Sequence, residues 1–247
     1  MIRIVIALTV SLIGFICKAQ VSENRTIADF KTIEASSGVE VRYTQSKATT
    51  LKVTTDDADK LKKISTEVNN GVLKITVKPG KGEQNFKVLR VDVSNPAVNT
   101  FKIKSAAKLT VENSSNNDET RIDVSSGAQF KGNVKSKNVQ LELNSGSGFQ
   151  GEINATVLVA SLSGAAKATV SGNTNEMKLK AHSAAVFKGA DLKAKYAIVE
   201  AENASKVGVS VSEKLDAKAS SVAAIEYYGK PKTVTADKKS LGTITAK

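Results

Sequence analysis

The chain has 247 residues, with 36 Lys and Arg against 24 Asp and Glu, a net charge of +12 and no Trp. That length suits one sizeable domain or two small ones. A single Cys excludes a disulfide within the chain, and a single His leaves little imidazole chemistry.

Residues 1–19 read as an export signal. Arg3 supplies the positive start, Ile4 to Ile16 the apolar run, and Cys17-Lys18-Ala19 a small-x-small cleavage site. Thirteen mostly apolar residues are too few to span a bilayer. Lipoprotein processing at Cys17 is the rival reading, but Phe15-Ile16 ahead of the cysteine fits it poorly. Cleavage after Ala19 removes the only cysteine, and with it any thiol nucleophile or thiolate metal site. Net charge falls from +12 to +10, because Arg3 and Lys18 leave and no acid does. The 34 remaining Lys and Arg are scattered rather than run together. That pattern serves solubility and edge protection better than nucleic-acid binding. The expected location is exported: periplasm, outer-membrane surface or extracellular.

Residues 20–26 are expected to be a flexible lead-in, and 27–247 one domain. Asp57 caps a predicted helical turn over "DDADKLKK", and "NNG" at 69–71 marks a hairpin, since Asn and Gly tolerate positive φ. The 50–90 region is therefore predicted to be a hairpin elaboration near the N-terminal end. Elsewhere short alternating stretches such as "VQLEL" (139–143) and "MKLKA" (177–181) predict β-strands.

A repeat then organises the chain. "SSGAQFKG" (125–132) returns as "NSGSGFQG" (144–151). Aligned on the serine, equivalent positions are Ser105, Ser126, Ser145, Ser163, Ser183, Asn203, Ser221 and Ser240, spaced 18 to 21 residues apart. Positions two and four before and after the serine are small or apolar, as in Leu141, Leu143, Ser147 and Phe149. Strand parity places all of these on one face. Lys167 breaks the column after Ser163, which reads as a bulge restored at Ala168 and Val170. The expected fold is an all-β, single-domain parallel β-solenoid of about 19–20 residues per coil, each coil stacking about 4.8 Å above the last. A barrel or sandwich is the alternative, but neither requires side-chain identity at fixed offsets. Two specific expectations follow: Phe130, Phe149 and Phe187 buried in neighbouring coils, and the serine column buried and hydrogen-bonded.

No residue earns a catalytic, cofactor or metal role. Asp56, Asp57 and Asp59 lack the Gly and distal Glu of a calcium loop, so capping explains them better. His182 precedes a corner serine and points outward by parity, away from that hydroxyl. "GSG" at 146–148 lacks the third glycine and the helix of a dinucleotide loop. Aromatic platforms are scarce, with Tyr227-Tyr228 the only tyrosine pair. The functional expectation is a non-catalytic surface or envelope module that binds or spaces. One alternative is a polysaccharide-active enzyme, which would need a groove with two carboxylates within about 10 Å. The other is electrostatic attachment to anionic glycan or lipid.

"FKTIEASSGVEV" (30–41), "ISTEVNNGVLKITV" (64–77), the recurring Ser-Gly-x corners and "IEYYGKP" (225–231) together resemble the head GIN domain family of auto-transporter adhesin heads, common in exported proteins of Bacteroidota. The resemblance covers roughly residues 27 to 245. It implies a β-helical exported domain and no established activity, and it assigns no functional residue. Its corner glycines are replaced here at Ala184, Ala204, Val222 and Leu241.

Overall fold

A computed structural model describes residues 20–80 and 85–247. The export signal and Cys17 lie outside the described residues.

Among the described residues seventeen strands form a single sheet coiled on itself, with one short helix beside it. The N-terminal part holds β1 (Val21–Asn24), β2 (Thr32–Ala35), β3 (Glu40–Gln45), β4 (Thr50–Thr55), α1 (Ala58–Leu61), β5 (Ile64–Asn69), β6 (Val72–Val77), β7 (Leu89–Asn95) and β8 (Thr100–Ile103). Six long strands follow: β9 (Lys108–Val124), β10 (Gln129–Leu143), β11 (Gly148–Leu162), β12 (Lys167–Ala181), β13 (Val186–Ala201) and β14 (Lys206–Ala219). The chain ends with β15 (Ala224–Tyr228), β16 (Thr233–Lys238) and β17 (Thr243–Ala246).

From β9 to β14 each coil is one bent strand paired in parallel with its neighbours. Side chains in β10 are buried at Phe130, Val134, Ser136, Val139, Leu141 and Leu143. Spacings of four and three, where a flat strand would give two, mark two bends, and with the serine corner they give each coil three faces. The expected solenoid is what the chain forms.

The elaboration sits at the N-terminal end. β2 pairs in parallel with β6 below and β8 above, and β3 likewise with β7 and β9. β5 folds back on β6 as an antiparallel hairpin through Asn70 and Gly71, both at positive φ. β4 lies antiparallel to β7. Residues 21–24 are not the loose lead-in expected. They form β1, antiparallel to β4, and Arg25 then donates to the carbonyls of Leu61 and Ile64 at 2.8 and 2.7 Å. The free edge of β4 supplies the partner that the local sequence does not advertise.

The core is a continuous column. Register places Leu109, Phe130, Phe149, Ala168 and Phe187 in one row, so the three phenylalanines are buried in the same column. Across the core, Tyr43, Phe101, Phe130 and Phe149 form a chain of rings with centroids 5.5, 5.4 and 5.5 Å apart. The buried Tyr43 hydroxyl donates to the Asn95 carbonyl at 2.8 Å, and burial pushes its pKa up to about 12.

The corners differ from expectation in an instructive way. Ser105, Ser126, Ser145, Ser183 and Ser221 are exposed, not buried. Each is the first of two consecutive residues at positive φ, as in Ser126-Gly127 and Ser145-Gly146. Nine such pairs stack along the described residues, beginning at Ser37-Gly38 and ending at Ser240-Leu241. Two left-handed residues in a row make a type I′ turn, which turns the chain instead of continuing its pleat, so strand parity cannot be carried through the serine. The second N–H of each pair donates to the first carbonyl of the next coil, as from Gly127 to Ser145 (3.0 Å) and Gly146 to Gly164 (2.8 Å).

The small residue after each turn is the one that points inward. Where it is serine it is satisfied: Ser147 Oγ donates to the Val124 carbonyl at 2.8 Å, and Ser205 Oγ to the Ala181 carbonyl at 3.0 Å. In the fifth corner the turn is Gly164-Ala165, so Ser163 stands one position ahead of it. The Lys167 break is therefore an offset in the corner rather than a bulge, and β11 and β12 run in unbroken register. With that offset Ala160 and Leu162 face inward and Val159 outward, 41% exposed.

Two predictions arise from the corners. Ser145→Ala should stay within about 0.5 kcal/mol of wild type in urea unfolding, because its hydroxyl is exposed. Val222 holds φ 64° with a branched side chain and is 63% exposed. Val222→Gly should raise the unfolding free energy by about 1 kcal/mol, since left-handed backbone costs a non-glycine residue roughly 1–2 kcal/mol, partly offset by glycine's larger unfolded entropy.

Candidate functional site

The acidic cluster disperses among three partners. Asp56 accepts from Lys60 Nζ at 2.7 Å, a bond that holds its carboxyl down to about 2. Asp57 caps α1 by accepting from the Asp59 N–H at 2.9 Å, as the sequence predicts. Asp59 pairs with Lys62 at 3.8 Å on the surface. Among the described residues no three His, Cys, Asp or Glu side chains converge as around a metal ion.

His182 is placed differently from expectation. Its Nδ1 lies 3.1 Å from Ser183 Oγ, because the turn brings the serine outward to the same side. Both side chains are exposed, and no third group among the described residues hydrogen-bonds to the ring. A serine nucleophile needs a base held in place by such a group. The contact is a local surface hydrogen bond.

The groove beside β4 has a volume of about 770 Å³ and contains both Asp92 and Glu112. Arg90 Nε lies 3.2 Å from Asp92, and Arg42 Nε lies 3.0 Å from Glu40 and 3.8 Å from Glu112. A glycosidase separates the roles of its two carboxylates by environment, one of them apolar. Here both lie against guanidinium groups, as in a solvated ion-pair ladder.

The wall formed by the stretch before each serine corner carries further ion pairs. Lys180 and Lys218 flank Glu200 at 3.1 and 3.9 Å, and Arg121 reaches Asp123 and Glu142, both at 3.0 Å. Such exposed pairs contribute little stability each. Lys102 and Lys178 make no salt bridge to any described residue, but this wall offsets much of its own charge.

The narrow third face does not. Its inward positions from β10 to β13 are small or hydroxylated, with Ser136, Ala155, Thr174 and Ala194 in one register row that continues to Val211 of β14. On one side of that row stand Asn116, Lys135, Asn154, Asn173 and Lys193, again in register. On the other stand Lys137, Thr156, Asn175 and Lys195. The small central row leaves a trough along the solenoid axis, about 24 Å from Asn116 to Ser210 at roughly 4.8 Å per coil. Two stretches of about 550 Å³ each share Ala155 and Asn173, and no acidic side chain lines either.

Its electrostatics are one-sided. Lys137 pairs with Asp118 at 3.0 Å, whereas Lys135, Lys193, Lys195 and Lys230 make no salt bridge to any described residue. Asn173 Nδ2 donates to Asn154 Oδ1 at 3.2 Å, and Asn154 Nδ2 to Glu152 at 2.7 Å, so the amides are held in a ladder.

Sequence reasoning missed this trough because it followed the columns next to the serine. The signal was present. Asn116, Lys135, Asn154, Asn173 and Lys193 each stand ten residues before a corner residue, once Gly164 replaces Ser163 in the alignment.

The architecture defines a three-faced parallel β-solenoid with solvated walls. The pattern of the family described as "Putative auto-transporter adhesin, head GIN domain" matches residues 29–231, and the chain belongs to that family. Three solved structures share the fold. One, described as a putative adhesin from Parabacteroides distasonis, is 20% identical, with 93% of this chain and 97% of that one covered at a TM-score of 0.86. Another, a putative lipid binding protein from the same species, is 21% identical, with 92% and 96% covered and a TM-score of 0.84. A putative adhesin from Parabacteroides merdae is 18% identical, with 92% and 96% covered, also at 0.84. Comparison with curated proteins gives no match.

Proposed function

We propose that this chain is a non-catalytic, exported module that binds at the cell surface or envelope through the outer face of its solenoid. One observation carries the reading. From β9 to β14 the outward side chains of each coil stand in register with those of the next over most of their length, with local shifts near the bends, so the walls form extended arrays along the solenoid axis. Such surfaces are what solenoids use to engage long or repetitive partners. Membership of an adhesin-head family supports the surface role, and the export signal read over residues 1–19 supports the location. The lipid-binding description of one structural neighbour makes a lipid ligand an arm of the test. No helix among the described residues is long and apolar enough to cross a membrane.

The test is an array of glycans and lipids probed with the secreted protein. Saturable binding to one ligand class without chemical change is the expected result. Release of new reducing ends from a bound polysaccharide would contradict it.

A further inference from the structure

We infer that the trough on the third face is the binding site, and that it takes an acidic polysaccharide whose carboxylates lie along the solenoid axis. The inference rests on the surface-binding reading above and names its ligand class.

Charge comes first. Lys135, Lys193, Lys195 and Lys230 line a trough that no carboxylate lines and make no salt bridge to any described residue, while the wall before the serine corners offsets much of its own charge. A polyanion is the partner that this imbalance favours, and its attraction is strengthened where cations cluster over a low-dielectric floor. Chemistry narrows the choice. Asparagine amides offer both donors and acceptors, which suits the hydroxyl groups of a sugar chain. The lining contains no arginine, the side chain that grips phosphate in bidentate fashion, and no aromatic ring on which nucleobases could stack. Apart from Tyr196, half-exposed beside Lys195, no large exposed apolar group stands next to these lysines to enter a headgroup region, which disfavours a membrane.

Geometry agrees with a linear occupant. The two walls run for about 24 Å, with ammonium groups on β10 (Lys135, Lys137) and again three coils or about 14 Å further on β13 (Lys193, Lys195) and with amides and hydroxyls between, so an extended chain with a repeated carboxylate can meet both clusters along its length. The ladder between Asn154 and Asn173 and the bond from Asn154 to Glu152 fix those amides before any ligand arrives, which lowers the entropic cost of binding.

The experiment measures binding of the secreted protein to polygalacturonate, to neutral dextran and to phosphatidylglycerol vesicles. Two variants of equal charge change are compared, K135Q/K193Q/K195Q in the trough and K102Q/K188Q/K206Q on the other faces. All six lysines are exposed, so both variants should fold, and thermal unfolding checks this. Wild type should bind polygalacturonate, with affinity falling as salt rises. The trough variant should bind it roughly 30- to 100-fold more weakly, and the control variant within about threefold of wild type. Equal weakening in both variants would overturn the assignment to the trough. Binding to dextran or to vesicles but not to polygalacturonate would overturn the ligand class and leave the surface-binding reading standing. Binding to none of the three would overturn the inference and count against that reading too.

Discussion

Replacing Phe130 with Ala is expected to lower the unfolding free energy by about 3–5 kcal/mol, the usual cost of truncating a buried aromatic. Phe130 is 1% exposed and sits inside the ring column, 5.4 Å from Phe101 edge-on and 5.5 Å from Phe149 in a stacked contact. Both neighbours would lose a partner, adding to the cavity term. The rings come from three coils, so the damage cannot be relieved by one loop moving. Urea denaturation with an unchanged slope would report this cost directly. A loss below about 1 kcal/mol would mean that the ring column does not exist in solution.

Gly172→Ala should be nearly as costly, at about 2–5 kcal/mol, for a different reason. Gly172 holds φ 110°, a conformation that L side chains rarely adopt, at the bend leading into the third face. A Cβ there would stand 2.3 Å from the Ile153 carbonyl oxygen of the coil beneath, a backbone atom that cannot step aside. Backbone strain and overpacking then add. Gly146→Ala is the control: its φ is 70°, nothing lies within 4 Å of the added carbon, and alanine already occupies the equivalent place at Ala106 and Ala184. That change should cost no more than about 1–2 kcal/mol. Equal losses at the two positions would contradict the stacked bend.

These two sites show which parts of the fold the sequence spelled out. The aromatic column was legible because Phe130 and Phe149 recur nineteen residues apart with small residues between corner and ring, and stacking requires like residues at like positions. The serines were misread for a local reason. Alternation is a property of extended backbone, and two left-handed residues in succession cancel it, so the buried hydroxyls are those of Ser147 and Ser205. The first corner, Ser37-Gly38, escaped notice because the β4–β7 elaboration separates it from Ser105, its neighbour in space. β1 was illegible for a related reason: a four-residue segment with three polar residues acquires strand structure only from the edge it meets. The trough needed the corrected corner alignment before its asparagines and lysines fell into one column. Its meaning then came from the structure, which shows which lysines have acidic neighbours and which have none.

The most direct test of this account is a lysine-acetylation footprint of the secreted protein, read by mass spectrometry with and without polygalacturonate. Lys135, Lys193 and Lys195 should be protected on binding, while Lys102, Lys188 and Lys206 keep their reactivity. Protection spread evenly over all six, or confined to the second three, would contradict a ligand site in the trough.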